Sequence, residues 1–327
     1  MNKKNISTLL HEIGYFDPIE NFHLLKGGAN NRVYKVDFAN KIHPIVLKSY
    51  FIDDKDKRDR LSSEFSFLTY AWERNIRCIP QPIKKNSNNI GIYSHIDASP
   101  FKKKHLSVNY ITLALDFYID LNKNKDKAKN ILNASESCFS IDDYIFSVNT
   151  RLEKLSKIKP SNPLNQKALN FIEKDLKTLW YNLLNKLKRF KKDYVLPKED
   201  ILISPSDFGF HNALLDAKNN IFFIDFEYAG WDDPAKTISD FFIQPKIKVP
   251  NKYLSSSIDK ISTTLQHPTH FKIRVEMVFP ICQIKWILLL LNSFLDVTCK
   301  RRIFSKTHEN KEKQLEKAYH LFKKIKI

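Results

Sequence analysis

Apolar and polar residues alternate with a period of two over three early stretches, at roughly 22–26, 32–38 and 44–51, and again near 89–95. That period sends alternate side chains to opposite faces of a strand. Gly27-Gly28-Ala29-Asn30-Asn31 separates the first two stretches and reads as a tight turn. A short helix is expected near 6–13. A longer one is expected near 57–75, where Leu61, Phe65, Leu68 and Trp72 recur at helical spacing. Pro80 and Pro82 break the chain after it. The first hundred residues therefore predict a small sheet accompanied by one long helix.

From about residue 105 the period changes to that of helices, near 105–122, 140–157, 163–192, 251–265, 270–296 and 308–325. One segment differs. The short apolar runs Ile201-Leu202-Ile203 and Ile221-Phe222-Phe223-Ile224 predict a hairpin of short strands flanking a loop, Ser204 to Asn212. The most apolar stretch, Met277 to Leu295, is interrupted by Pro280, Gln283, Lys285 and Asn292, so it reads as a buried helix rather than a membrane span. A β-rich part followed by a mostly helical part is an α+β, two-lobed outline, with an N-terminal lobe over 1–97 and a helical lobe over 98–327.

Composition narrows the partners. The chain has 327 residues, enough for a sizeable core, and a formal charge of +18. The surplus reads either as solvated basic faces or as attraction for an anionic partner such as a nucleotide. The dense basic runs, Lys102 to Lys104, Lys186 to Lys192 and Lys323 to Lys326, do not interleave aromatics as a single-strand binder does, which argues against nucleic acid. Cys78, Cys138, Cys282 and Cys299 lie far apart with no CxxC pair, so neither a disulfide framework nor a zinc site is expected. The basic N-terminus lacks a signal-peptide apolar run, and a cytoplasmic location is expected.

Three places carry candidate chemistry. Lys48 alternates in phase with Val46 and Tyr50, so the three share one strand face. A lysine there is either a solvated edge residue or a phosphate ligand. Glu64 lies beside the apolar stripe of its helix, where a carboxylate needs a cation or solvent, and Lys48 is the natural cation. The third place is residues 204–240. Asp207 precedes Asn212 by five residues in a loop, and Asp225 ends a strand 13 residues later. Isolated Asp and Asn in loops usually cap or turn. Together, a carboxylate and an amide offer the oxygens a hard cation such as magnesium prefers, and Asp207 is left to accept a proton from a hydroxyl. Asp233 ahead of Pro234 reads as a helix start.

At these residues the chain resembles the aminoglycoside phosphotransferase and choline kinase-like families, which have a protein-kinase-like fold. GGANNRVYKV resembles their nucleotide loop at Gly28, Asn31 and Tyr34. VLKSY resembles the strand with the phosphate-binding lysine, Lys48, and Glu64 its helix partner. SDFGFHN resembles the catalytic loop, and IDFEYAGWDDP the metal-binding strand end. The resemblance implies Asp207 as catalytic base, and Asn212, Asp225 and Glu227 as magnesium ligands. It also implies ATP between the lobes, roofed by Val46 and bonded at its adenine by backbone near His95 and Ile96. Two positions depart from the pattern. The histidine usual two residues before the base is Pro205, and the acid usual after the Asp-Pro pair is Thr237, with Asp240 as a shifted substitute.

The implied activity is ATP-dependent transfer of a phosphoryl group to a hydroxyl of a small molecule. Long-range repulsion between a chain at +18 and a polycation favours a neutral or anionic acceptor, such as a sugar or sugar derivative. Choline or another amino alcohol is the second acceptor class, and a kinase-like binding or regulatory module without transfer is the alternative.

Overall fold

The computed structural model describes all residues except 1–2, 13, 26–30, 40–42, 55, 57, 189–194, 296–301, 306–309 and 326–327. The N-terminal elements are α1 (Lys3–His11), β1 (Ile19–Leu24), β2 (Arg32–Phe38), β3 (Ile45–Ser49), α2 (Arg60–Glu73), β4 (Pro82–Lys85) and β5 (Ile90–Ser94). The strands form one antiparallel sheet in the order β1-β2-β3-β5-β4. Strand alternation sets the packing. Ile45 and Leu47 of β3 join Val36, Phe38 and Ile92 in a core closed by Ile6, Leu9 and Leu10 of α1. The opposite face of β3 presents Val46 and Lys48 toward the rest of the molecule. Proline opens β4 at the sheet edge, where a missing N–H is tolerated, so the expected break at Pro82 is the start of a strand.

The remainder is mostly helical: β6 (Ser99–Pro100), α3 (Val108–Asn122), α4 (Ile141–Leu155), α5 (Pro163–Asn170), α6 (Lys177–Leu187), β7 (Leu202–Ser204), β8 (Ala213–Leu215), β9 (Ile221–Phe223), β10 (Gly230–Asp232), α7 (Pro234–Ile243), α8 (Leu254–Ser262), α9 (Pro268–Leu291) and α10 (Lys311–Phe322). Between α5 and α6 the chain continues as one widened π-helical turn, Phe171–Leu176, so a single rod spans the three segments. The short strands do not form the hairpin expected from sequence. β7 pairs with β10, while β8 joins β9 and β6.

α9 is long and apolar enough to cross a membrane by length and composition alone, yet 61% of its most apolar stretch is buried inside the protein. It packs against α4, α7 and α10 at the centre of the larger core. Cys78, Cys138 and Cys282 are free thiols.

Candidate active site

Lys48 stands on β3 opposite Gly91 of β5 and Val33 of β2. Its Nζ is buried and lies 2.6 Å from Glu64 Oε2 and 2.5 Å from Asp225 Oδ1. Glu64 belongs to the buried face of α2, a helix whose start is capped by Asp59 accepting from the Ser62 amide. The same carboxylate accepts from the Tyr50 hydroxyl at 2.6 Å and from the Phe226 backbone amide at 3.3 Å. One acid therefore ties the sheet, the helix and the segment after β9 to one point. Behind it the Tyr50 and Tyr93 hydroxyls meet at 2.6 Å. Gly91 leaves room for that pair, since a Cβ there would lie 2.3 Å from the Tyr93 hydroxyl.

Charge follows from this placement. Burial alone would pull the Lys48 ammonium down, but Asp225 and Glu64 outweigh it and hold the ammonium well above its ordinary range. Burial pushes the Asp225 carboxyl up to about 6; Lys48 opposes that shift, and Glu227 and Glu64 add to it. Asp225 lies two residues past the end of β9 with φ of +70°, a left-handed conformation, and its carboxylate bonds Lys48.

The loop after β7 presents Asp207. Phe208 and Phe210 are buried anchors, stacked on Phe241 and Phe101 respectively. Asn212 donates from Nδ2 to the Asp207 carbonyl at 3.0 Å and to Asp207 Oδ2 at 3.3 Å, and His211 Nε2 lies 3.0 Å from Asp207 Oδ1. Burial pushes the Asp207 carboxyl up, but His211, Asn212 and Lys285 together bring it below its ordinary value. The Ile224 amide donates to the Asn212 carbonyl at 2.9 Å, which lays the Asp207 loop beside the Asp225 segment.

The other residues singled out from sequence fall in distinct places. Gly28 lies outside the described residues. Asn31 and Glu227 meet: Asn31 Nδ2 donates to Glu227 Oε2 at 2.5 Å, and Asn31 Oδ1 accepts from the Phe51 amide at 3.3 Å. Glu227 is 1% exposed and faces the buried Arg60, whose Nε is 3.9 Å away. Glu227 thus sits inside a clamp joining Asn31, just before β2, to the start of α2, turned away from solvent. Val46 lies on the same face of β3 as Lys48. His95 and Ile96 follow β5, where the Ser94 and His95 amides are committed to the Gln81 and Pro44 carbonyls. Asp240 is bonded to Lys285 at 2.6 Å and to the Trp286 indole at 2.7 Å, and does not reach the Asp207 loop as a shifted acid would.

Sequence reasoning missed the Tyr50–Tyr93 pair, the Arg60 clamp, His211 and the ion pairs beside the loop. Besides Asp240 with Lys285, these pairs are Asp232 with Lys236 and Glu136 with Arg151. Lys236 is buried in the first turn of α7, and its spacing from Pro234 carries no signal of that burial.

Among the described residues no hydrogen bond engages Asn212 Oδ1 or Asp225 Oδ2. These two oxygens suit a hard cation. No group of three His, Cys, Asp or Glu gathers among the described residues, so phosphate and water oxygens would have to complete its shell.

No family model matches the chain, and no curated protein does. Solved structures do. A choline kinase from Streptococcus pneumoniae superposes with TM-score 0.62 at 11% identity, covering 99% of both chains. A Plasmodium vivax ethanolamine kinase gives 0.60 at 15%, covering 92% of this chain and 82% of that one. A spectinomycin phosphotransferase solved with ADP and spectinomycin gives 0.61 at 13%, covering 98% of both. This chain has their fold. The expected α+β, protein-kinase-like architecture is therefore present along essentially the whole chain, and the Lys48–Glu64–Asp225 cluster lies where its sheet meets its helical part.

Proposed function

We propose that this chain is a phosphotransferase that uses ATP and magnesium to phosphorylate a hydroxyl of a small molecule. The observation that carries this is the triple junction of Lys48, Glu64 and Asp225, drawn from three separate elements and backed by the adjacent Asp207–Asn212 loop. A single buried cation held by two acids is poised to exchange one acid for phosphate oxygens.

In this reading Lys48, held by Glu64, contacts the ATP phosphates, and the backbone around Ile96 meets the adenine under Val46. Asn212 and Asp225 hold magnesium, which supplies charge neutralisation at the phosphates. We leave Glu227 out of the metal set, because it already holds Asn31 and faces Arg60. Asp207 orients the acceptor hydroxyl. As the acceptor oxygen bonds to the γ-phosphorus, the bond from that phosphorus to the β,γ-bridging oxygen breaks, and the hydroxyl proton passes to Asp207. The products are ADP and a phosphate ester. Positioning and electrostatics supply most of the rate.

For the acceptor we favour an uncharged hydroxyl compound such as a sugar or sugar derivative. Three acids beside the Asp207 loop are already neutralised from within the chain: Asp232 by Lys236, Asp240 by Lys285 and Glu136 by Arg151. An aminated acceptor would have to displace those lysines or that arginine. Amino alcohols form the second reading, favoured by the names of the choline and ethanolamine kinases of like fold.

The test is a nucleotide-consumption screen over sugars, amino alcohols and aminoglycosides with Asp207→Asn alongside. Turnover on a sugar that the variant lacks is the expected result. Absence of a thermal shift with Mg·ATP overturns the reading. Binding of Mg·ATP with no transfer to any acceptor favours a binding module.

A further inference from the structure

We propose that His211 is a positioning residue for phosphoryl transfer: its imidazole fixes the Asp207 carboxylate in the orientation that receives the acceptor hydroxyl. This rests on the phosphotransfer reading above.

The two oxygens of Asp207 are held by consecutive side chains. His211 Nε2 lies 3.0 Å from Oδ1, and Asn212 Nδ2 lies 3.3 Å from Oδ2 while also bonding the Asp207 carbonyl. A carboxylate only accepts, so Nε2 carries the hydrogen. Between them these bonds set both the position of the carboxylate and the plane in which its remaining lone pairs lie. Asp207 itself is partly open, at 36% side-chain exposure, whereas the imidazole beneath it is at 12%.

The ring is placed for Asp207 rather than for its own satisfaction. Its Nδ1 is buried without a hydrogen-bond partner among the described residues, an arrangement that costs stability. The backbone accommodates the ring closely. A Cβ on Gly209 would stand 2.9 Å from His211 Nδ1 and 3.2 Å from Cε1, so any larger residue there pushes the imidazole away from Asp207. Glycine is scarce in this chain, at 6 of 327 residues, and one of them falls where the imidazole folds back.

The experiment compares His211→Phe, His211→Gln and Gly209→Ala with wild type, using the acceptor found in the screen. His211→Phe keeps a ring and loses the donor. His211→Gln restores an N–H donor. Gly209→Ala keeps the histidine and displaces it. Misplacing a reacting group by about 1 Å can cost about 10²-fold in rate. The expected result is a fall in kcat of that order for His211→Phe and Gly209→Ala. The KM for ATP and the Mg·ATP thermal shift should change little, and His211→Gln should recover most of the kcat. Equal kcat values for Phe and Gln at 211 overturn the proposal. So does a loss that tracks Tm and ATP affinity together, since a purely structural histidine predicts that. A wild type without transferase activity overturns the phosphotransfer reading, and this assignment with it.

Discussion

The Thr237 hydroxyl donates to the Ser204 hydroxyl at 2.8 Å, and Ser204 Oγ in turn accepts from the Ser206 amide at 2.9 Å. This relay runs from α7 to the residue just before Asp207. Ser206 adopts φ of +65°, a left-handed conformation that a non-glycine residue holds only when its surroundings enforce it. Pro205 has no N–H to offer a buried acid at 237. A hydroxyl at 237 meets a hydroxyl at 204 instead, so the two departures from the family pattern are chemically consistent with each other.

Asp207→Asn should reduce transfer by about 10²–10⁴-fold, the usual contribution of a positioned base. The Mg·ATP thermal shift should persist, because Lys48, Asn212 and Asp225 are untouched. Nucleotide at about 100 times its Kd stabilises by about 2.7 kcal/mol, so the shift is readily measured.

The ion triad makes a pH prediction. The folded Asp225 carboxyl, pushed up to about 6, lies above its unfolded value near 3.8. A raised carboxyl favours the fold fully below the unfolded value and loses that contribution as pH rises through the folded one. The stability gap between wild type and Asp225→Asn, without nucleotide, should therefore move against wild type between pH 4 and pH 7. Thermal melts of both proteins across that interval measure it. A gap that stays constant removes the assigned cause.

Arg274 and Asp233 form a fully buried pair at 2.6 Å, and the Tyr144 hydroxyl donates to the same Asp233 oxygen at 2.7 Å. Arg274→Met removes the cation and strands the acid. The expected loss is about 3–5 kcal/mol of stability, read by denaturant unfolding.

Lys285→Met should change acceptor preference. Removing the ammonium leaves Asp240 bonded to Trp286 without a cation of its own. The ratio of kcat/KM for an amino alcohol over a neutral sugar should rise, by about 10-fold for one gained charge contact worth about 1.4 kcal/mol. An unchanged ratio places Asp240 outside the acceptor site.

Much of this was legible from the pattern of residues. The phase of Val46, Lys48 and Tyr50 aims the lysine across β3, and the stripe of α2 buries Glu64, so their meeting follows from two periodicities. The partner of β7 was not legible. A three-residue apolar run carries no register information, and β7 pairs with β10 rather than with the nearer run. The start of α7 was legible from Asp233 ahead of Pro234, but its burial was not: all ten of its residues are buried, including the polar Lys236, Thr237, Ser239 and Asp240. His211 was hidden because its role depends on a ring folding back onto a bare Cα, which spacing does not encode.

The widened turn at Phe171–Leu176 has a consequence for insertions and deletions. Ala168, Ile172, Leu176, Trp180, Leu183 and Leu187 are all buried. At about 100° per residue, the 19 steps from Ala168 to Leu187 overshoot five whole revolutions by about 100°. One surplus residue taken up in the π turn cancels that overshoot and returns the apolar side to the core. Excising a single residue within 171–176 should therefore leave an ordinary α-helix with the same inward side, whereas an excision within 179–186 should rotate the end of the rod outward.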